Sequence, residues 1–252
     1  MKSRHWRSGI GLLALLLALP AAAQAEDSTV LQPRPGVTEE VLYTMVSGAP
    51  ASVILLPGGG GVLAGVRNNF LLRVRGQVVQ QGLSVAVPDA PSDHGSGMDA
   101  RFRASAEHAQ DLAAVIAFLR SKSPAPVWLV GTSRGTVSAA NGAMRLGPTQ
   151  VAGIVLTSAV WVGGISNVPL GEIAVPTLVV HNRDDGCAES PYTGAAPGLA
   201  QLTKAPAKEL ISVQGGRSQS RPCDAMSTHG YLGIEDEVVT PMVQWIKGHG
   251  KT

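Results

Sequence analysis

The sequence predicts a single α/β domain with a mostly parallel central sheet and helices on both of its faces. Short runs rich in Val, Ile and Leu recur along the chain, and their continuous apolar character is typical of strands that are buried on both faces. Longer segments with apolar residues at helical spacing separate these runs. Strands and helices that alternate in this way favour parallel strands joined by right-handed crossovers. We see no internal repeat or linker, so we expect residues 26–252 to form one domain.

The predicted elements follow from these runs. Buried strands are expected at residues 52–56, 84–87, 127–131, 151–157, 177–181 and 209–213. Residues 41–46 are expected to add an antiparallel edge strand at the start of the sheet. Helices are expected at residues 68–81, 99–120, 136–146, 190–202 and 234–246.

The first 25 residues have the pattern of a secretory signal peptide. Basic residues (Lys2, Arg4 and Arg7) precede an apolar stretch at residues 9–19, and an Ala-x-Ala cleavage site ends at Ala25. The alternative is a membrane anchor, but the apolar stretch is short for a bilayer span. We therefore expect cleavage after Ala25, a periplasmic or secreted location, and no stable membrane insertion of the mature chain.

The charge of the chain argues against a nucleic-acid partner. The formal net charge is +2 at neutral pH, and the first 25 residues hold three basic side chains and no acidic ones, so the mature chain carries about −1. A near-neutral protein without a run of Lys or Arg offers no basic surface to a phosphate backbone. The expected partner is a small molecule.

Ser133 is the candidate nucleophile. It lies in Gly131-Thr132-Ser133-Arg134-Gly135, which has the form G-x-S-x-G and stands between a predicted strand and a predicted helix. A strand, a sharp turn and a helix are what present a serine Oγ at the top of a sheet, and flanking glycines allow the strained turn. The alternative is a glycine-rich turn in some other α/β protein.

His229 is the candidate base, because a serine hydroxyl needs one to become a nucleophile at neutral pH. It lies in a polar loop between the last predicted strand and the last predicted helix. The other histidines precede the serine, end a strand (His181), or fall in the leader or the C-terminal tail. A surface histidine without a function is the alternative.

These motifs resemble those of the α/β-hydrolase superfamily over residues 53–246, and the resemblance implies the order serine, acid, histidine. The acid follows a strand that ends in His-Gly, three residues beyond the glycine. Here Asn182 replaces that glycine and Asp185 lies three residues on, so Asp185 is preferred to Asp184. The chain is similar to small bacterial carboxylesterases and dienelactone-hydrolase-like proteins, but the latter use a cysteine where this chain has Ser133.

The resemblance also implies an oxyanion hole in the four glycines that follow Pro57. Aligning Pro57 with the family's usual histidine makes the Gly59 N–H one donor, with Gly60 close behind it, and the N–H of Arg134 the other. A flexible loop is the alternative. A phosphate-binding P-loop is disfavoured, because no Gly-Lys-Ser/Thr ending follows these glycines. The Arg134 side chain is awkward at a helix N-terminus, and it is expected to pair with Asp89 or Asp93 or to meet an anionic substrate group.

Two cysteines, Cys187 and Cys223, complete the candidate site. An even count in an exported protein favours a disulfide, which here would join the acid loop to the base loop. Two buried free thiols or a reactive cysteine are the alternatives.

The resulting hypothesis is a serine hydrolase that cleaves small or short-chain carboxylic esters through an acyl-enzyme, without metal or organic cofactor. The connection at residues 159–176 is too short for a multi-helix cap, and Trp161 is expected to line the open pocket. An acyltransferase or thioesterase with the same triad is an alternative, and a non-catalytic binding protein is another. The sequence leaves the oligomeric state open.

Overall fold

The computed structural model describes residues 25–250. One eight-stranded sheet runs through the molecule in the order β1-β2-β4-β3-β5-β6-β7-β8. Strand β2 pairs antiparallel with both β1 and β4, and every pair from β4 through β8 is parallel. The strands are β1 Asp27–Arg34, β2 Val37–Thr44, β3 Ser52–Leu56, β4 Ser84–Pro88, β5 Val127–Thr132, β6 Gly153–Thr157, β7 Thr177–Asn182 and β8 Lys208–Val213.

Six α-helices cover the two faces of the sheet: α1 Phe70–Gln80, α2 Ala100–Arg103, α3 Ala106–Lys122, α4 Gly135–Leu146, α5 Ala195–Ala200 and α6 Glu235–His249. Helices α1 and α6 share one apolar cluster with the sheet, in which Trp128 is fully buried. Helices α3, α4 and α5 contribute to a second cluster. The two clusters arise because the inner strands are buried on both faces, as continuous apolar runs require.

The predicted mostly parallel α/β architecture is confirmed, but the prediction for the edge of the sheet is wrong. Strand β2 is not the edge, because β1 pairs with its outer side. The sequence of β1 has no continuous apolar run and its residues are exposed or half-buried. The strand is held by its pairing with β2 and by its own last residue, Arg34, which donates to the carboxylate of Asp111 in α3.

Two helix predictions also differ from the structure. The helix expected at residues 99–120 is divided, because the Ser105 hydroxyl accepts a hydrogen bond from the His108 N–H and thereby caps a new helix, α3. The helix expected at residues 190–202 shortens to α5 and a preceding 3₁₀ turn, Tyr192–Gly194.

No cap covers the sheet between β6 and β7. That connection holds only two 3₁₀ turns, Ile165–Asn167 and Leu170–Glu172.

The predicted signal peptide lies outside the described residues except for Ala25. Among the helices that the structure describes, none is both long and apolar enough to span a membrane.

Candidate active site

Ser133 occupies a sharp turn between β5 and α4. Its φ angle is 53°, in the left-handed region that residues other than glycine rarely adopt. Such strain persists where the surrounding structure fixes the backbone and is common at functional sites. Here the Ser133 N–H donates to the Thr157 carbonyl at 3.0 Å, which ties the turn to β6.

The glycines around Ser133 are required by close packing. A side chain at Gly131 would collide with the backbone of Gly135, and one at Gly135 would collide with the carbonyl of Leu56. The G-x-S-x-G pattern is therefore what this turn needs, because the backbone of β3 approaches the start of α4 too closely for a Cβ atom.

His229 and Asp185 are brought together from two loops. Asp185 follows β7, and His229 lies in a 3₁₀ turn, Thr228–Gly230, which the Ser227 hydroxyl caps. The His229 Nδ1 atom lies 2.9 Å from Asp185 Oδ2 and 3.1 Å from Oδ1. Both side chains are buried, so water does not compete for this contact and the carboxylate fixes the orientation of the imidazole.

Every partner of the Asp185 carboxylate is able to donate to it. The Cys187 N–H donates to Oδ1 at 2.9 Å, and the Ser190 hydroxyl donates to Oδ2 at 3.1 Å. His181 Nε2 lies 3.5 Å from Oδ2. Burial raises the pKa of Asp185, but the hydrogen bonds from His181, His229 and Cys187 outweigh it and hold the pKa at about 2. The carboxylate is therefore ionised at neutral pH.

Asp184 faces away from His229 and organises the turn. Its Oδ2 accepts from the Gly215 N–H at 2.9 Å, and its backbone carbonyl accepts from the Thr228 hydroxyl at 2.7 Å. Both bonds tie the loop after β7 to the segment that carries His229. The geometry thus distinguishes the two aspartates: Asp185 holds the imidazole and Asp184 holds the loop.

Ser133 and His229 line the same cavity, which has a volume of about 530 Å³. The buried Nε2 atom of His229 has no hydrogen-bond partner among residues 25–250, Ser133 included. Its Nδ1 atom is committed to Asp185, so Nε2 is the nitrogen free to accept a proton. Catalytic hydrogen bonds are often long before substrate binds, so a catalytic Ser133–His229 pair is compatible with the absence of this bond.

The glycine loop after β3 forms part of the wall of this cavity. Gly58 and Gly59 line the cavity, and Gly58 lies so close to Ser133 that a Cβ atom there would be 2.8 Å from the serine Cβ. Gly60 does not line the cavity: it packs against Gly97, and its carbonyl accepts from the Met98 N–H at 2.8 Å. This geometry favours Gly59 over Gly60 as an oxyanion donor.

The Arg134 side chain pairs with a carboxylate, as expected, but the partner is neither Asp89 nor Asp93. Its nearest carboxylate is Glu189, at 3.5 Å, and the side chain is 48% exposed. Asp89 accepts instead from the Leu63 and Ala90 N–H groups, and Asp93 pairs with Arg34. The N–H of Arg134 donates to no described residue.

The acid and base loops are joined by the predicted disulfide. Cys187 and Cys223 are bonded, with their Cα atoms 4.5 Å apart. Cys187 is also the residue whose N–H bonds to Asp185, and Cys223 lines the cavity. The disulfide therefore connects directly to the aspartate–histidine pair.

The sequence assigned no role to His181 and Arg103, which lie near the site. It placed Trp161 at the pocket, but this residue lies elsewhere. His181, which contacts Asp185, ends a buried strand, where a histidine is ordinarily structural. Arg103 is fully buried beneath the glycine loop, and nothing in the sequence separates it from neighbouring arginines such as Arg101. Trp161 does not line the cavity, because its ring packs against Gly194 and Gly198.

Comparison with solved structures finds the same architecture in several proteins. An α/β serine hydrolase homologue from Coxiella burnetii matches 86% of this chain and 96% of its own, at 20% identity and a TM-score of 0.63. An esterase from Pyrococcus furiosus matches 90% of this chain and 91% of its own, at 13% identity and a TM-score of 0.68. The chain has the α/β-hydrolase fold. A zinc-bound, cold-adapted esterase from an Arctic intertidal metagenomic library also matches, over 92% of this chain and 97% of its own, at 17% identity and a TM-score of 0.63.

The α/β-hydrolase fold explains the positions of the candidate residues. Its nucleophile lies on a strand-to-helix turn, and the acid and the histidine follow in that order; here Ser133 follows β5, Asp185 follows β7 and His229 follows β8. No protein-family model and no curated protein matches the sequence. Because one fold hosts many chemistries, the activity has to be argued from the site. Within the described residues, no group of three or more His, Cys, Asp or Glu side chains is placed to hold a metal ion.

Proposed function

We propose that this chain is an exported serine hydrolase that cleaves small or short-chain carboxylic esters. The observation that carries the proposal is the buried His229–Asp185 pair: the Nε2 atom of His229 has no partner among the described residues, and His229 lines the same cavity as Ser133 and Gly59. The strained turn at Ser133 supports it further, since a φ of 53° costs free energy in a residue other than glycine and such strain is typical of functional sites.

In the proposed reaction, Ser133 Oγ attacks the ester carbonyl carbon while His229 Nε2 takes the hydroxyl proton. The carbonyl oxygen becomes an oxyanion that the N–H groups of Gly59 and Arg134 stabilise. As the carbon–oxygen bond to the alcohol breaks, His229 returns the proton to the leaving alkoxide, which leaves an acyl-enzyme. A water molecule then gives its proton to His229 and attacks the acyl carbon, and the acid departs as Ser133 recovers the proton. Asp185 stabilises the imidazolium in both steps.

The cavity supports a short acyl group rather than a long one. It lacks a cap, and its lining includes polar side chains such as Arg67, Asn68 and Asp224 beside a few apolar ones such as Val66. Each methylene of an acyl chain gains only about 0.8 kcal/mol, and only when it is buried. A long chain that extends from this cavity into water gains little.

Labelling with a fluorophosphonate tests the nucleophile. The mature chain, residues 26–252, should become covalently labelled, and mass mapping of peptides should place the label on Ser133. Ser133→Ala should abolish labelling and lower ester turnover by about three or more powers of ten, as should His229→Ala for turnover. Ser121→Ala is the matched control, because Ser121 is an exposed serine on α3 whose hydroxyl bonds only to the Phe118 carbonyl. A label on another serine, or full turnover by Ser133→Ala, would contradict the proposal.

A series of p-nitrophenyl esters tests the substrate class. The highest kcat/KM should fall between acetate and butyrate, because longer chains leave the cavity. A maximum at decanoate or beyond, or activation at a lipid interface, would contradict the short-chain assignment.

A further inference from the structure

Arg103 is an unusual residue for the interior of this protein. It is fully buried, and its two terminal nitrogens donate to neutral oxygens only: Nη1 to the Ser138 hydroxyl at 2.8 Å, and Nη2 to the carbonyls of Pro57 and Gly59, both at 3.2 Å. The buried Nε atom has no partner among the described residues. No carboxylate of the described residues pairs with the guanidinium. Burial lowers the pKa of Arg103 to about 10, so the side chain is still a cation at neutral pH. Burying a charge that has no partner of opposite charge costs free energy. Stability alone therefore does not explain this arginine.

The two carbonyls that Arg103 binds flank the peptide that carries the candidate oxyanion donor. The Pro57 carbonyl belongs to the peptide before Gly58, and the Gly59 carbonyl belongs to the peptide after Gly59. The peptide between them contains the Gly59 N–H. Hydrogen bonds to the peptides on both sides restrict the rotation of this middle peptide. The restriction matters because Gly59, at a φ of 59°, lies in a run of four glycines whose backbone has little stiffness of its own.

The same guanidinium reaches the helix that follows the nucleophile. Ser138 lies in α4, five residues after Ser133, so Arg103 connects the glycine loop with the element that positions the serine. Gly61 leaves room for this connection, since a Cβ atom there would lie 2.8 Å from Arg103 Nη2. The Asp99 carboxylate in turn fixes the short helix α2 that presents Arg103, by accepting from the Phe102 N–H at 2.7 Å.

We propose that Arg103 is a positioning residue of the oxyanion hole, whose guanidinium holds the glycine loop so that the Gly59 N–H points toward the carbonyl oxygen of the ester that Ser133 attacks. This rests on the proposed function of Ser133 and Gly59. An arginine suits the task because its planar group can donate to three separated oxygens at once, whereas the ammonium of a lysine is a single point.

The test compares Arg103→Met and Arg103→Lys with Arg101→Met, which makes the same change on an exposed arginine of the same helix. Arg103→Met should lower kcat by about 10- to 100-fold and change KM by less than about threefold, because a misdirected oxyanion donor weakens the transition state and not the bound ester. Arg103→Lys should fall between Arg103→Met and the wild type. Arg101→Met should retain wild-type kcat.

Hydrogen–deuterium exchange supplies a readout that does not depend on turnover. Exchange should accelerate in the peptide that spans residues 57–61 of Arg103→Met and stay unchanged in the peptide that spans β5. A kcat within about twofold of the wild type would overturn the proposal, and so would a glycine loop that exchanges at the wild-type rate in both Arg103 variants. If Arg103→Met does not fold, Arg103→Lys decides by the same two measurements. Failure of the wild type to react with the fluorophosphonate would refute the hydrolase function, while the exchange experiment would still decide whether Arg103 holds the loop.

Discussion

Replacing Asp185 by Asn tests which aspartate supports the base. The groups that contact its carboxylate in the structure are donors: His229 Nδ1 at 2.9 and 3.1 Å, the Cys187 N–H at 2.9 Å and the Ser190 hydroxyl at 3.1 Å. An asparagine keeps one acceptor, which the Cys187 N–H would use, and it places an amide NH₂ where Oδ2 was. The Ser190 hydroxyl can rotate to accept from that NH₂, but His229 can accept from it only when its own proton moves from Nδ1 to Nε2.

That change of tautomer sets the size of the effect. With a proton on Nε2, the imidazole cannot take the proton of Ser133, although the packing around it is nearly unchanged. We expect Asp185→Asn to lower kcat by about 10³- to 10⁴-fold, which is the cost of the wrong histidine tautomer in a serine hydrolase. Asp184→Asn retains an acceptor for the Gly215 N–H and does not touch His229. Its kcat should stay within about threefold of the wild type.

Steady-state hydrolysis of p-nitrophenyl acetate by the two purified variants decides between the aspartates. Circular dichroism and melting temperature should show that both variants are folded. Activity near the wild-type level in Asp185→Asn, together with its collapse in Asp184→Asn, would refute the assignment.

The low pKa of Asp185 predicts how the stability of the protein depends on pH, and the same variant tests this prediction. The folded pKa of Asp185, about 2, lies below the value of 3.8 for an unperturbed carboxyl. At about 1.4 kcal/mol per pH unit, this difference stabilises the native state by about 2 kcal/mol above pH 4. Because the folded pKa is the lower one, the contribution is lost as the pH falls from about 4 through about 2. The free energy of unfolding of the wild type, measured with denaturant, should therefore decrease across this range more steeply than that of Asp185→Asn. Parallel pH curves would contradict the low pKa.

Two further predictions concern the connections around His229. Reduction of the Cys187–Cys223 disulfide, which closes a segment with a sequence separation of 36 residues, should lower the free energy of unfolding by about 4 kcal/mol in the chain-entropy account; two thiols that alkylate freely in the native protein would contradict the bond. Tyr231→Phe should cost about 1–3 kcal/mol, because the buried hydroxyl donates to the Val180 carbonyl and accepts from the Ser158 N–H, each at 2.8 Å; a melting temperature equal to that of the wild type would show that these bonds contribute nothing.

The parts of the fold that the sequence could predict are those fixed by local pattern. Continuous apolar runs mark the inner strands, such as β5 and β7, because both faces of these strands are covered. The turn at Ser133 was predictable because its steric demand for Gly131 and Gly135 is local and appears directly as a motif.

The parts that could not be predicted depend on residues far apart in the chain. Strand β1 has no apolar run, and it forms because β2 offers a free edge and Asp111 accepts from Arg34, 77 residues away. The partner of Arg134, which is Glu189, lies 55 residues away and follows from the path of the loop after β7. Arg103 looks like any charged residue of a short helix until the glycine loop is placed over it.

The buried charges of the site are arranged along the proposed path of charge separation. In the tetrahedral intermediate, a positive charge develops on His229 and a negative charge develops on the oxygen that faces Gly59. The ionised Asp185 lies beside the first, and the guanidinium of Arg103, bonded to the Gly59 carbonyl, lies behind the second. Apart from the two histidines, Asp185 is held by neutral donors, the Cys187 N–H and the Ser190 hydroxyl, and Arg103 is held by neutral oxygens. In a buried site such fixed charges act strongly because little water screens them. Under the proposed mechanism, these two fixed charges favour the charge-separated intermediate over the neutral complex of enzyme and ester.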